Sequence, residues 1–593
     1  MEEANGREGF EVITAGFGSI QRTINDISEE DLQQGELIAL PIALLILLLV
    51  FGAAVAAGIP IILAVLAIVV AVGAVALIGR AFDLSFMVVN MITMIGLALG
   101  IDYSLFIVHR FREERRSGLE KREAIATAGA TASRAVLFSG GAVIVGLTGL
   151  FIVPTNIYRS LATGAIVVAI IAVLAALTLL PAVLSLLGDR INALRLPLLQ
   201  RGRSAGDEGG FWGWVANAVM AHPVISAVAA VVFLLAIAAP LVTINLGLAG
   251  VSTLPEDTAS RRAFETLDND FSAGLISPAE IVVDAEDVRS QPVQQGIDRL
   301  LAALGGDAMF GEATVETNDA ADLALVSALI VGDPDADTAH DAIKRLRSEH
   351  IPAAFAGVDA DVLVTGATAH TEDMFDVIRT YTPIVFAFVL GLSFLLLLVV
   401  FRSLVVPVKA LIMNLLSVGA AYGLLVLVFQ HGVGNEIFGF QRTETIEAWL
   451  PLFLFAFLFG LSMDYHVFLL SRIRERFDRT GDNAASVAFG VRSTAGIITG
   501  AALIMVAVFS GFAMGDTVSL QQVGFGMAVA VILDATIIRS VLVPASMQLL
   551  GDWNWYLPNW LRWLPDIRVE RVGAPKARPA PAAADGMLAD GGE

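Results

Sequence analysis

The chain has 593 residues, of which 56% are hydrophobic and 16% charged, and its mean hydropathy is +0.75. No single soluble core holds that much apolar surface, and several apolar runs exceed about eighteen residues, long enough to cross a bilayer as helices. The absence of cysteine excludes disulfides and thiolate metal sites, and the seven histidines show neither an HExxH pattern nor ligand spacing, so no metal and no cofactor is expected.

The net charge of −21 is concentrated. Residues 245–378 carry 25 acids against 7 bases, whereas the short loops elsewhere are rich in arginine. That imbalance excludes nucleic acid as a partner and predicts an acidic soluble domain on a basic-looped membrane part.

In chain order, residues 1–36 are polar and acidic, with no basic n-region or apolar h-region of a signal peptide. Apolar segments follow at about 37–57, 59–79, 84–108, 134–153 and 161–187, forming a first half of five spans. A polar linker (188–221) leads to a sixth span at 222–244 and then to the hydrophilic stretch 245–378. Five more spans, at about 380–401, 404–429, 448–470, 494–514 and 523–550, make about eleven in all. The tail, 551–593, is rich in tryptophan and then in proline and alanine, suiting first the headgroup layer and then disorder.

Arginine-rich loops at 109–134, 188–215 and 471–492 all fall on one side, which makes that side cytoplasmic. Residues 245–378 are then extracytoplasmic. Within them a strand at Glu280, a helix at Pro292–Leu304, strands at Ala313 and Leu323, a helix at Asp337–Ile351 and a strand at Asp361 spell β-α-β-β-α-β, the ferredoxin-like order. Asp333-Pro-Asp-Ala-Asp337 reads as turn chemistry rather than a calcium loop, lacking the glycine and terminal glutamate that such a loop needs.

The second half repeats the first. Leu180-Pro-Ala-Val-Leu-Ser-Leu-Leu-Gly-Asp189 echoes Val543-Pro-Ala-Ser-Met-Gln-Leu-Leu-Gly-Asp552, and Val12 to Gly16 resembles Val362 to Gly366. On that repeat, residues 1–36 are the remnant of a first extracytoplasmic domain. A first span and most of that domain are expected about 130–150 residues upstream of Met1.

The repeat also duplicates an acid. Asp102 and Tyr103 lie in an otherwise apolar helix, and Asp464 and Tyr465 lie in its counterpart 362 residues on. An aspartate near a helix centre costs about 2.5–3.5 kcal/mol on insertion scales, so such residues face the bundle interior and are functional by default. Neighbours on a helix point about 100° apart. Asp102 therefore pairs more readily with Tyr465, and Asp464 with Tyr103, if the two helices face each other. Small residues at Gly96, Ala98, Gly100, Gly460 and Ser462 allow close packing. Two acids in register predict a proton relay, with protons as the coupling ion; the plain alternative is two neutral acids that only join helices. Asp534, with Arg539 five residues on, either joins this network or simply pairs with Arg539 or Thr536. His466 is a weaker candidate, because a lone helical histidine is more often only packed. Asn90 and Thr93 are weaker still.

Two Asp-Tyr pairs in duplicated five-span blocks, Phe401-Arg-Ser403 with Pro407, Leu533-Asp-Ala-Thr-Ile-Ile-Arg539 and Trp553-Asn-Trp-Tyr-Leu-Pro-Asn-Trp560 resemble the MmpL (mycobacterial membrane protein large) branch of the resistance–nodulation–division transporters. The resemblance covers nearly the whole chain from about residue 10. It implies a duplicated transmembrane bundle with extracytoplasmic porter domains, of which this chain carries one. It implies proton-driven export of lipids or other hydrophobic molecules, with Asp102, Tyr103, Asp464 and Tyr465 as the relay, in a multi-pass protein of the cytoplasmic membrane. Expected partners are membrane lipids and a lipidic or hydrophobic substrate, with a homo-oligomer or a missing N-terminal half left open. Efflux of drugs or small hydrophobes by the same machinery, and a non-transporting lipid-sensing scaffold, are the rival readings. No nucleophile–base or metal pattern points to an enzyme.

Overall fold

The computed structural model describes residues 13, 16–194, 211–248, 250–255, 257–271, 273–275 and 277–564. Among them, 11 helices are long and apolar enough to cross a membrane, the number the hydropathy pattern predicts. The first half comprises α1 (Phe17–Phe51), α2 (Ala54–Ile78), α3 (Met87–Arg116), α4 (Lys121–Thr148) and α5 (Asn156–Leu174). A π-helical turn, Ala175–Leu179, then continues α5 into Leu180–Leu187. A short helix α6 (Phe211–Ala221) precedes the sixth span, α7 (Pro223–Ala238).

The first span differs in extent from the apolar run at 37–57. Its helix starts at Phe17 and stops at Phe51, because Gly52 turns left-handed at φ 66° and caps it. Glycine has no Cβ to clash there, which makes it the usual residue at such a stop. The arginine-rich "loops" are also mostly helix. α3 runs to Arg116 and α4 begins at Lys121, so four residues join them. Arginine, lysine and glutamate are good helix formers, and i to i+3 and i+4 pairs such as Arg110 with Glu113 and Glu114 extend the helix beyond its apolar part.

After α7 comes α8 (Ala259–Asp270), then β1 (Ala279–Asp284), α9 (Gln291–Leu304), β2 (Phe310–Thr317), β3 (Leu323–Ile330), α10 (Asp337–Arg345) and β4 (Asp361–Thr365). The sheet order is β2-β3-β1-β4, every neighbouring pair antiparallel. This is the ferredoxin-like arrangement. β3 alternates along its length, and its inward residues Ala324, Val326, Ala328 and Ile330 meet Ile281 and Val283 of β1 and the apolar faces of α9 and α10. Period-two burial of this kind lets a sheet cover one core face while the other stays wet. The 333–337 segment is a turn, with the Asp335 N–H donating to the Asp333 carboxylate, and no group of three or more potential metal ligands occurs among the described residues.

The second half follows directly from β4: α11 (Ala367–Phe401), α12 (Val405–Leu425), α13 (Leu450–Thr480), α14 (Asn483–Ala513), α15 (Val518–Leu533) and, after the π-helical stretch Asp534–Leu542, α16 (Val543–Leu550). α1 and α11 have the same length, 35 residues. The halves interlock, since α4 packs on α13, α14 on α3, and α1 on α14. α3 and α13 are the most enclosed spans, with 94% and 88% of their apolar windows buried. The acid-bearing helices are therefore the core of the bundle.

Candidate functional site

α3 and α13 carry the two Asp-Tyr pairs through the middle of the bundle. Asp102 is 2% exposed, enclosed by apolar neighbours on α3. The Tyr465 hydroxyl, through a side-chain hydrogen bond, and the Arg539 guanidinium, through its charge, are the polar groups that act on it across the half-to-half junction. Tyr465 is itself buried. Its hydroxyl lies 3.5 Å from Met505 Sδ of α14, and Arg539 lies over its ring, 4.0 Å from the centroid.

Arg539 belongs to the last span, where it forms an ion pair with Asp534. An α-helix would place residues five apart about 140° around the axis from each other. The π-helical stretch Asp534–Leu542 widens the turn and closes the pair; such bulges are frequent at functional sites. Pro544, which cannot donate to the preceding turn, follows directly. Ser462 Oγ lies 3.0 Å from Asp534 Oδ1 and 2.8 Å from Asn414 Oδ1, so α12, α13 and the last span meet at one hydroxyl. His466 Nδ1 is 3.2 Å from the Ser462 carbonyl, one turn back on its own helix. Thr536 bonds only the Ile532 carbonyl in its own turn, so Asp534 pairs with Arg539 and not with Thr536.

Tyr103 is buried between α3 and α4, its hydroxyl close to Gly140. It shares a small cleft with Phe106, Ser139 and Phe468. The side chain of Asp464 lies outside the described residues, although its backbone continues α13. Asn90 is buried in α3, and Thr93 bonds the Val89 carbonyl.

The small residues are used differently from the expectation that they bring α3 and α13 together. A Cβ on Gly460 would meet Val143 Cα of α4 at 2.7 Å, and one on Gly146 the Ala456 carbonyl at 2.8 Å. Gly100 packs on Ala64 of α2, and Gly96 on Ile68 and Val168. Ala98 is fully buried. Close backbone packing thus runs α3 to α2 and α13 to α4, whereas α3 and α13 meet through rings, Phe106 lying 4.8 Å from Phe468 and 6.1 Å from Tyr465. A ring between two helices fixes their spacing without requiring glycine. Sequence reasoning missed Asn414 and the hydrogen-bonding role of Ser462; a lone Asn in the apolar run 404–429 was the available signal.

Two tyrosines frame the other end of α13, Tyr158 donating to the Trp449 carbonyl at 3.1 Å and Tyr422 to the Pro451 carbonyl. At the foot of the α/β domain a cavity of about 410 Å³ is lined by His340, Lys344, Glu372, Phe375 and Arg379, among others. Glu372 is 2% exposed. Lys344 Nζ lies 3.2 Å from it, His340 Nδ1 3.4 Å and Arg379 Nη1 3.7 Å. Burial pushes the His340 imidazole below its ordinary value, against the pull of Glu372.

The family model "MMPL family" matches residues 1–243 and 252–577. A Mycolicibacterium smegmatis protein named mycolic acid-containing lipids exporter MmpL11 is 38% identical over 575 residues, 96% of this chain and 60% of the relative. A Mycobacterium tuberculosis protein named heme uptake protein MmpL11 is likewise 38% identical, over 96% of this chain and 59% of its own length. The chain thus spans about 60% of the length of these curated relatives. Among solved structures, the translocon-associated membrane protein SecDF of Thermus thermophilus aligns with a TM-score of 0.52 at 18% identity, covering 87% of this chain and 62% of that one, a likeness of fold. Repeated Asp-Tyr helices, a duplicated bundle and a family match over almost every residue agree: the chain belongs to the MMPL family of membrane proteins.

Proposed function

We propose that this chain is the membrane-embedded part of a secondary active transporter that exports lipids or other hydrophobic and amphiphilic molecules across the cytoplasmic membrane, driven by the proton-motive force. The observation that carries the reading is Asp102, a buried carboxylate of the first half whose polar neighbours, Tyr465 and Arg539, both belong to the second half. An ionisable group buried in the membrane is costly and is functional by default.

The proposed cycle turns on Arg539, which stands between two acids. With Asp102 ionised, the guanidinium is attracted both to Asp534 and, past the Tyr465 ring, to Asp102. A proton taken up by Asp102 cancels the second attraction and leaves Arg539 to Asp534 alone. Because Arg539 sits on a π-helical stretch held to α13 through Ser462, that change in pull acts on two spans at once. Asp464, on α13, is assigned the matching proton position in the repeat, with Tyr103 beside it. The substrate's polar end is assigned to the charged cavity around Glu372, and its apolar part to the surrounding membrane.

The name of one relative, an exporter of mycolic acid-containing lipids, supports the substrate class and direction, whereas another is named for the uptake of heme. Efflux of drugs or other small hydrophobes by the same machinery is the second reading, favoured by the mixed charge of that cavity. The test is transport of a labelled lipid by the full-length protein in proteoliposomes with an imposed proton gradient. Asp102→Asn is expected to abolish gradient-dependent transport while the protein still elutes as a folded species, and a protonophore to stop the unaltered protein. Unchanged transport in Asp102→Asn, or a requirement for ATP, would sink the reading.

A further inference from the structure

The two halves end differently where α3 and α13 leave the bundle. In the first half Arg112 is 7% exposed and fully used. It donates to the Phe51 carbonyl and to Asn192 Oδ1, both at 2.9 Å, and its guanidinium lies 5.3 Å from the Phe51 ring centroid. Its repeat counterpart, 362 residues on, is Arg474, and the counterparts of Phe51 and Asn192 are Phe401 and Trp555. There the space stays open. A cavity of about 280 Å³ is lined by Phe401, Arg402, Arg474, Trp555, Leu557 and Arg562.

Three arginines line this cavity: Arg402 Nη2 donates to the Arg562 carbonyl at 2.9 Å, and Arg474 Nε lies 2.9 Å from the Asp478 carboxylate. Trp555 forms a wall, with the Arg474 guanidinium 4.6 Å from its ring centroid. The walls are held firmly. Ser403 Oγ donates to the Asn554 carbonyl at 2.6 Å and Lys409 Nζ to Asn554 Oδ1 at 3.0 Å, pinning the tail onto α12.

The backbone singles out the same place. Arg402 caps α11 in the left-handed region, at φ 49° and ψ 48°, where the first half has Gly52. Only Leu194, Ala321 and Arg402 among the described non-glycine residues have positive φ. A side chain there strains the backbone in a way glycine does not, and such outliers gather at functional sites. Keeping an arginine where the repeat uses glycine places a guanidinium at the cavity.

We propose that this cavity binds the phosphoester headgroup of an anionic membrane phospholipid, held by Arg402, Arg474 and Arg562 against the face of Trp555. Arginine forks match phosphate oxygens in a bidentate manner. The volume suits a headgroup rather than a whole lipid, since pockets for complete small molecules run to about 300–1,000 Å³. Depth favours a lipid over a soluble anion, because Trp553, Tyr556, Trp560 and Trp563, in the same tail segment as the lining residues Trp555, Leu557 and Arg562, are all at least half exposed. Tryptophan and tyrosine gather at the headgroup level of membranes. The arginine-rich ends of the spans fall on this same side, where anionic lipids attract basic groups. The site is independent of whether the chain transports anything.

The experiment uses the full chain, delipidated in a neutral detergent, with thermal unfolding followed as phosphatidylglycerol, phosphatidylcholine or glycerol 3-phosphate is added. Phosphatidylglycerol is expected to raise the unfolding temperature and phosphatidylcholine not to. The double variant Arg402→Gly with Arg562→Gln should need at least tenfold more phosphatidylglycerol for the same rise. Arg402→Gly installs the first half's own capping residue, so its cooperative unfolding without lipid serves as the folding control. Equal shifts from the two lipids, or an undiminished response in a variant that unfolds cooperatively, would overturn the site. Saturation by glycerol 3-phosphate alone would overturn the lipid as its occupant.

Discussion

The two halves of the bundle share a plan and differ in polarity. Both carry an Asp-Tyr pair on their most buried helix, and both interrupt the last span with a π-helical turn, at Ala175–Leu179 and at Asp534–Leu542. In the second half that turn bears Asp534 and Arg539, which meet Ser462 and Asn414. At the matching positions the first half has Ile171, Ala176, Gly100 and Ala67, and its π turn carries no charge. The polar apparatus therefore belongs to one half, and the first half contributes one acid, Asp102, to it. Since the backbone irregularity persists in the half without charges, it is part of the shared plan, and the ion pair is an addition to a turn already wide enough to close it.

Removing part of that addition gives the largest expected effect. Asp534→Ala leaves Arg539 charged, buried and without its carboxylate, and breaking a buried pair in this way costs about 3–5 kcal/mol. The double variant Asp534→Ile with Arg539→Ala, which copies the first half, should recover most of that stability and still lack gradient-driven transport. Thermal unfolding and proteoliposome transport measured side by side test both outcomes. A double variant as unstable as Asp534→Ala would mean that the first-half solution does not fit the second half.

The next comparison lies at the spans that interlock the halves. Asp31 of α1 is 1% exposed and accepts the Asp516 and Thr517 N–H groups, both at 2.7 Å, at the start of α15. Orphan donors at a helix start favour an anion. The matching position in α11 is Tyr381, so the halves differ here too. Asp31→Ala should cost about 3 kcal/mol, from two charge-assisted bonds at roughly 1.5 kcal/mol each. Tyr381→Ala should leave the 515–518 segment unchanged, as read by hydrogen exchange of those amides.

What could be read from the sequence follows from which interactions are local. Eleven spans, the strand and helix order of residues 279–365 and the burial of Asp102 all follow from hydropathy and periodicity, which are written residue by residue. The extension of α3 through Arg116 is also local, but hydropathy is blind to it because charged residues continue a helix as readily as apolar ones. The sequence offers Arg539 and Thr536 alike as partners for Asp534 and cannot choose between them, since residues five apart face apart on the α-helix that the pattern predicts, and the π turn is what unites Asp534 with Arg539. The small residues show the same limit. Gly460 announces a close approach and does not say to which helix, and the structure sets it against Val143 of α4.

That contact gives a smaller prediction. Gly460→Ala puts a methyl group 2.7 Å from Val143 Cα, and because a backbone atom cannot swing aside, overpacking of about 1–3 kcal/mol is expected. Gly141, which has open space around a new Cβ, makes the matched control. Gly141→Ala should be neutral or slightly stabilising, as alanine is the better helix former, and the two unfolding temperatures check the difference.

The smallest effect contrasts the bundle with the α/β domain, where charges are near water and act through pH. Asp307 accepts from the Met309 N–H at 3.0 Å and lies 3.1 Å from Arg345 and 3.2 Å from His350. Burial pushes its carboxyl up, but the Met309 N–H, His350 and Arg345 outweigh it and hold the carboxyl below its ordinary value. A carboxylate depressed in the folded state adds stability above its unfolded pKa, about 3.9, and loses that contribution as pH falls through the folded value. Asp307→Asn should therefore weaken protection of the β1–β4 amides by about 1 kcal/mol at pH 7, the usual worth of one such bond near the surface. The gap should shrink as pH falls below about 4 and close below the depressed folded value, where the unaltered protein loses the same charge, so hydrogen exchange of residues 279–365 on either side of that window checks both size and sign. A gap that persists at low pH would show that the charge of Asp307 is not what it contributes, since asparagine keeps an oxygen to accept from the Met309 N–H. The domain's stability would then depend on shape alone, unlike the charged centre of the bundle beneath it.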